Sequence, residues 1–187
     1  MILPIIAYGD PVLKTRALAV DKDEAGLQEL LENMWETMYV AQGVGLAAPQ
    51  VGLSKRIFVI DASPFAEDDP GLKDFKKAFI NPLIISETGH EWVFNEGCLS
   101  FPDLREDVTR KSDIRLSYMD ENFHHHEEDF SGLAARIIQH EYDHIEGIVM
   151  VDRISPLKRR LIRKKLNNIS KGLVNPDYVM KFPLKKR

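Results

Sequence analysis

His140-Glu141-Tyr142-Asp143-His144 constrains this 187-residue chain more than any other stretch. Residues four apart on a helix share a face, so the two imidazoles can point at one cation. The surrounding sequence favours a helix there. Residues 130–147, FSGLAARIIQHEYDHIEG, offer Ser131 as a cap, a Leu-Ala-Ala-Arg run that propagates well, and Gly147 as a stop. Glu141 lies beside the pair, where a carboxylate can exchange protons with a water at the ion. The plainer alternative, a satisfied core network around His140 and Glu141, gives the spacing no reason.

Such a site needs a third protein ligand. One hydrolase class places a histidine where this chain has Met150, and a thioether is a poor ligand for Zn²⁺. No glutamate follows Glu146. Upstream stand His90, the run His124-His125-His126, and Cys98. The run sits in DENFHHHEED and reads as a solvated hairpin edge. Cys98 follows Gly97, which permits close backbone approach. A lone cysteine is often only a small buried hydrophobe. Beside two helical histidines that lack a partner, a thiolate ligand is the better reading. A Cys-His-His set suits Zn²⁺, Fe²⁺, Co²⁺ or Ni²⁺ and leaves one position for water.

The rest of the chain sets the fold class. Residues 23–42 place Leu27, Leu30, Leu31, Met34 and Met38 on one helical stripe that stops at Gly43. KRIFVIDA (55–62), KAFINPLIIS (77–86), HEWVFNEGCLS (90–100) and DIRLSYMD (113–120) read as strands. SPFAEDDPGLKD (63–74) reads as an acidic, proline-broken surface excursion. A last helix starts at Ser155-Pro156, turns Leu157, Leu161, Ile162, Leu166 and Ile169 inward, and stops at Gly172. This order predicts an α+β fold: antiparallel sheets packed around a central helix carrying the His-Glu-x-x-His motif, with a C-terminal helix. Residues 1–187 are read as a single catalytic domain, of which 152–187 form a basic helix and tail. The tail 173–187 shows no periodicity.

Hydrophobic residues make up 44% of the chain, enough for a proper core, and its single cysteine allows no internal disulfide. A reducing cytoplasm fits. MILPIIAY is too short to span a membrane and lacks the basic start of a signal peptide. Twelve of the 25 Lys and Arg residues lie in 153–187, against one acid, Asp177. That asymmetry points to a polyanionic partner for the basic end.

Three segments together, GVGLAAPQ (43–50), EGCLS (96–100) and QHEYDH (139–144), resemble the three signature motifs of peptide deformylases in content and order. YGDPVL (8–13) adds to the likeness, which runs over roughly residues 1–155. The resemblance implies hydrolytic removal of the N-formyl group from the initiator N-formylmethionine of nascent polypeptides. It implies that Cys98, His140 and His144 hold one divalent ion, Fe²⁺ in the cell, with Zn²⁺, Ni²⁺ or Co²⁺ able to replace it. Glu141 would then move protons, and Gln50 and the Leu99 N–H would stabilise the oxyanion. The implied substrate site comprises Val44, Gly45, Phe94, Gly97, Arg105, Leu133 and Ile137, with Arg105 at the rim. Arg110 is expected to be structural and Asp143 to support the helix.

Physical chemistry agrees with these roles. Attack on a formamide builds charge on the carbonyl oxygen, where preorganised donors lower the barrier by ~3–4 kcal/mol. Pro49 restrains the loop that presents Gln50, and Leu99 directly follows a ligand. A methionine pocket should be apolar, and the peptide can lie beside the Gly45 loop as an added strand. The basic helix is either a docking helix with a solvated face or, as the resemblance suggests, a ribosome contact. Two rivals stay open: a thiol hydrolase using Cys98 as nucleophile, and an ion that merely staples the fold.

Overall fold

Ile57, Phe58, Val59 and Ile60 are all fully buried, because both faces of the strand that carries them are covered. Ile57 and Val59 turn one way and Phe58 and Ile60 the other, as the two-residue period of a strand requires. The computed structural model describes residues 1–184. In chain order these form β1 (Ile5–Ile6), α1 (Leu27–Val40), β2 (Gly45–Ala47), β3 (Ile57–Asp61), β4 (Lys76–Gly97) and β5 (Arg105–Met119). They continue with β6 (His125–Ser131), α2 (Gly132–Ile145), α3 (Pro156–Leu161), α4 (Arg163–Ser170) and β7 (Met180–Lys181).

Strands β2-β3-β4-β5-β6 make one antiparallel sheet in that order. One face packs on α2, where Phe58, Phe79, Leu116 and Tyr118 meet Ala134, Ile137 and Ile138. The other packs on α1, where Val59 and Ile80 meet Leu31, Met34 and Met38. This is the α+β architecture read from the sequence, with the motif helix packed on one face of the sheet. A separate parallel pair, β1 with β7, ties the tail to the start of the chain. The tail's last three residues lie outside the described residues.

The two strands read at 77–86 and 90–100 are one long strand, β4. Its register with β5 shifts between Ile80 and Leu83, Ile84 and Ser86, and Thr88 and Glu91. These irregularities bend the strand without ending it, so turn residues inside it did not mark a boundary. Strand β5 likewise begins at Arg105, eight residues before the predicted start. Ser131 sits at the N-cap of α2, but its side chain makes no capping bond. Gly147 closes that helix at φ +73°, where an added Cβ would lie 2.9 Å from the Lys14 backbone.

The last helix differs most from expectation. Ser155 caps it as foreseen, accepting from the Lys158 N–H at 3.2 Å. It then breaks at Ile162 into α3 and α4. Leu166 and Ile169 are buried, but Leu157 and Leu161 are 69% and 76% exposed rather than inward. Helix α3 is exposed along its whole length, so one stripe is not covered along the whole segment.

Candidate metal centre

Strand β4 ends at Gly97, and the turn that follows presents Cys98 to α2. The Cys98 Sγ lies 3.3 Å from His144 Nε2. The ligand atoms of Cys98, His140 and His144 all lie within 4.8 Å of one another. The two rings meet edge to face with centroids 5.2 Å apart, as a one-turn separation on a helix produces. His90 and His124–His126 lie elsewhere. His126 bonds Asp120 at 2.9 Å, and His125 meets Ser117 at 2.8 Å.

Glu96 organises this centre from beneath. Its Oε2 accepts from His140 Nδ1 at 2.9 Å, which makes Nε2 the nitrogen of that ring that a cation could meet. Arg110 donates to both Glu96 oxygens at 2.8 and 3.0 Å, and Arg136 adds a bond at 2.9 Å. Arg110 also donates to Asp143 at 2.8 Å, and Arg153 reaches the same carboxylate at 3.0 Å. Burial pushes the Glu96 carboxyl up, but the bonds from His140 and Arg110 outweigh it and hold it well below the usual range. Arg110 and Asp143 thus share the buried network that carries Glu96.

Burial alone would lower His140, yet hydrogen bonding to Cys98 and Glu96 raises it well above its ordinary value. Burial and the neighbouring His140 and Arg110 push His144 well down. Burial raises Glu141 to about 7, and its Oε2 has no hydrogen-bond partner among the described residues. A thiol, two imidazoles and a carboxylate with an unsatisfied oxygen fit a divalent ion with one position open.

Gly45 is the floor beneath that carboxylate. A Cβ there would lie 2.8 Å from the Glu141 carboxyl carbon. Gln50 is 1% exposed, and its Oε1 accepts from the Ala47 N–H at 2.8 Å. That bond turns its Nε2 toward Cys98 Sγ at 3.5 Å and Ser100 Oγ at 3.4 Å. The Leu99 N–H makes no hydrogen bond among the described residues, while the Leu99 carbonyl accepts from the Tyr178 hydroxyl at 2.8 Å.

A cavity of about 440 Å³ opens over this group. Val44, Gly45, Gln50, Phe94, Gly97, Cys98, Leu99, Arg105, Leu133, Ile137, His140 and Glu141 all line it. His144 alone of the site residues read from sequence does not; it is buried at 1% exposure. Arg105 bonds Asn95 Oδ1 at 3.0 Å with its side chain in solvent. The sequence reading missed Glu96, Phe65 and Tyr178, which also line the cavity. A signal for Glu96 existed: it lies two residues before Cys98, inside EGCLS. Phe65 comes from the proline-broken excursion and Tyr178 from the tail, where no periodicity marked them.

Residues 2–160 match the family model described as polypeptide deformylase. The chain belongs to that family. It is 61% identical to the peptide deformylase of Christiangramia forsetii, an alignment spanning 100% of this chain and 99% of the relative. The peptide deformylase of Flavobacterium psychrophilum is 54% identical, with both chains covered in full (100% each). The crystal structure of a peptide deformylase from Legionella pneumophila superposes with a TM-score of 0.80 at 38% identity, over 92% of this chain and 98% of that one. The family match ends at residue 160, before α4 and β7, so Tyr178 lies beyond it.

Proposed function

We infer that this chain is a metal-dependent hydrolase that removes the N-formyl group from N-formylmethionine at the start of nascent polypeptides. The observation that carries the reading is the convergence of Cys98, His140 and His144 within 4.8 Å beside the unpartnered Glu141 oxygen, at the base of the cavity. Cys98, His140 and His144 would hold a divalent ion, which would supply Lewis acidity toward the formyl carbonyl and acidify a water.

The side chains do the rest. Glu141 accepts a proton from the attacking water and returns it to the amine nitrogen as the carbon–nitrogen bond breaks, giving formate and a free methionine N-terminus. A carboxyl pushed up to about 7 suits both directions of that transfer near neutral pH. Gln50 Nε2 and the Leu99 N–H donate to the formyl oxygen as charge develops there. Val44, Phe94, Leu133 and Ile137 take the methionine side chain. Strand β2 is a sheet edge, so the peptide can lie against Gly45 as a further strand, with Gly97 and Arg105 flanking its course.

The cellular ion in this reading is Fe²⁺, with Zn²⁺, Ni²⁺ or Co²⁺ as working substitutes. Residues 1–187 act as one catalytic unit in the cytoplasm. No helix of the described residues is long and apolar enough to cross a membrane. The basic helices α3 and α4 touch ribosomal RNA. Supporting that contact, Arg160 and Arg163 have no carboxylate within salt-bridge reach among the described residues, and Leu157 and Leu161 stand exposed beside them. Reversing Arg159, Arg160, Lys164 and Lys165 should abolish low-salt ribosome co-sedimentation while peptide turnover persists. The deciding experiment for the activity is turnover of a formyl-Met peptide by freshly prepared anaerobic protein with metal analysis. A folded, metal-loaded sample that leaves the peptide intact overturns the reading.

A further inference from the structure

Three consecutive carbonyls of the turn after β4 are each pinned by a different donor. The Cys98 carbonyl accepts from the Phe101 N–H at 2.8 Å, within the turn itself. The Ser100 carbonyl accepts from the Tyr8 N–H at 3.0 Å, two residues past β1. The Leu99 carbonyl accepts from the Tyr178 hydroxyl at 2.8 Å, two residues before β7. Of these three donors only the tyrosine is a side chain.

The two outer donors belong to one small unit. Strands β1 and β7 pair with Ile5 opposite Met180. Ile5 N–H donates to the Val179 carbonyl and Ala7 N–H to the Lys181 carbonyl, each at 2.9 Å. Leu184 N–H bonds the Ser170 carbonyl at 3.0 Å, fastening the far side of the tail to α4. Tyr178 is therefore held rigidly, half-buried, with its ring on the cavity wall.

We propose that Tyr178 is a positioning residue for the oxyanion site: its hydroxyl, by holding the peptide plane that follows Leu99, fixes the turn that aims the Leu99 N–H into the cavity. The chain before Leu99 is anchored at Cys98 and the chain after it at Ser100. The Leu99 N–H shares its peptide plane with the Cys98 carbonyl, and the Leu99 carbonyl lies on the next plane; the Phe101 N–H holds the first and the Tyr178 hydroxyl the second. A donor that must meet a developing charge loses most of its value when it has to reorganise at the moment of reaction. The C-terminal tail thus contributes to the site through the backbone of this turn.

This inference rests on the deformylase reading, so wild-type turnover of a formyl-Met peptide is measured beside each variant. Tyr178→Phe removes the hydroxyl and keeps the ring. Turnover per metal-loaded site should fall about three- to tenfold, the range for losing one neutral hydrogen bond, with KM within about twofold. Metal content should match wild type. An unchanged turnover number, or a rise in KM alone, overturns the proposal. A lower melting temperature with an unchanged turnover number shows a merely structural tyrosine and overturns it too. Should Tyr178→Phe fail to accumulate folded, Tyr178→Leu fills the space without a hydroxyl, and the same division between turnover and KM decides. An inactive wild type instead removes the deformylase reading itself.

Discussion

Nδ1 of His140 donates to Oε2 of Glu96 across 2.9 Å, and through this one bond the end of β4 sets the orientation of a ring on α2. Glu96 is held ionised by two buried arginines, so it can only accept, and the imidazole must present its other nitrogen to the centre.

Replacing that carboxylate should therefore weaken the ion and the fold together. Glu96→Gln leaves Arg110 and Arg136 buried with less compensating charge, a loss of about 3–5 kcal/mol. Metal affinity should drop roughly 10- to 100-fold, because the ring loses its anchor. Urea unfolding and competition with a chelator report the two effects. Wild-type values in both would mean that Glu96 orients nothing.

Gly45 sets where the Glu141 carboxylate can lie. An alanine Cβ would stand 2.8 Å from its carboxyl carbon, and the buried surroundings give the carboxylate little room to move. Gly45→Ala should lower turnover roughly 10- to 100-fold by displacing the proton-transfer group. It should cost about 1–3 kcal/mol from overpacking and leave metal content unchanged. Steady-state kinetics on a formyl-Met peptide checks this, and turnover near wild type would refute the close approach.

Removing the ion separates a metal enzyme from a thiol hydrolase. Chelation should abolish deformylation, and added Fe²⁺, Ni²⁺, Co²⁺ or Zn²⁺ should restore it. The stripped chain should still unfold cooperatively, because the apolar clusters joining α1, the sheet and α2 pack without the ion. Activity that survives full demetallation would instead make Cys98 the nucleophile.

Asp120 gives the β5–β6 hairpin an acid-side signature. Burial pushes its carboxyl up, but the bond from His126 and the N–H groups of His124 and Asn122 outweigh it, setting it at about 2 against an ordinary 3.8. A folded value below the unfolded one stabilises the fold above the ordinary value, and this contribution is lost as pH falls through about 2. The stability gap between wild type and Asp120→Asn should thus be full at neutral pH and shrink as pH drops from about 4 to 2. A gap that does not change with pH over that window would show that the charge of Asp120 plays no part.

Much of this was legible in residue order. Spacing four apart on a helix required His140 and His144 to share a face, and the failure of every downstream candidate left Cys98 as the strongest third ligand. The stripe on α1 and the apolar run of β3 announced two buried elements, and both are present. The bulged continuity of β4 was not legible, because a strand that bends through irregularities carries the same turn residues as one that stops. The break at Ile162 was not legible either: inward spacing says which residues could be covered, not whether a surface exists to cover them.

Sequence alone determined the ligand types, their helical spacing and the layered core, since each follows from periods of a few residues. Only tertiary structure decided that Glu96 supports His140, that Phe65 closes on the cavity, and that Tyr178 reaches the Leu99 carbonyl. The two hydrogen bonds among them join residues 44 and 79 positions apart, across elements whose relative placement no local period encodes. They are set by how the sheet bends and where the tail docks, which depends on the packing of the whole chain.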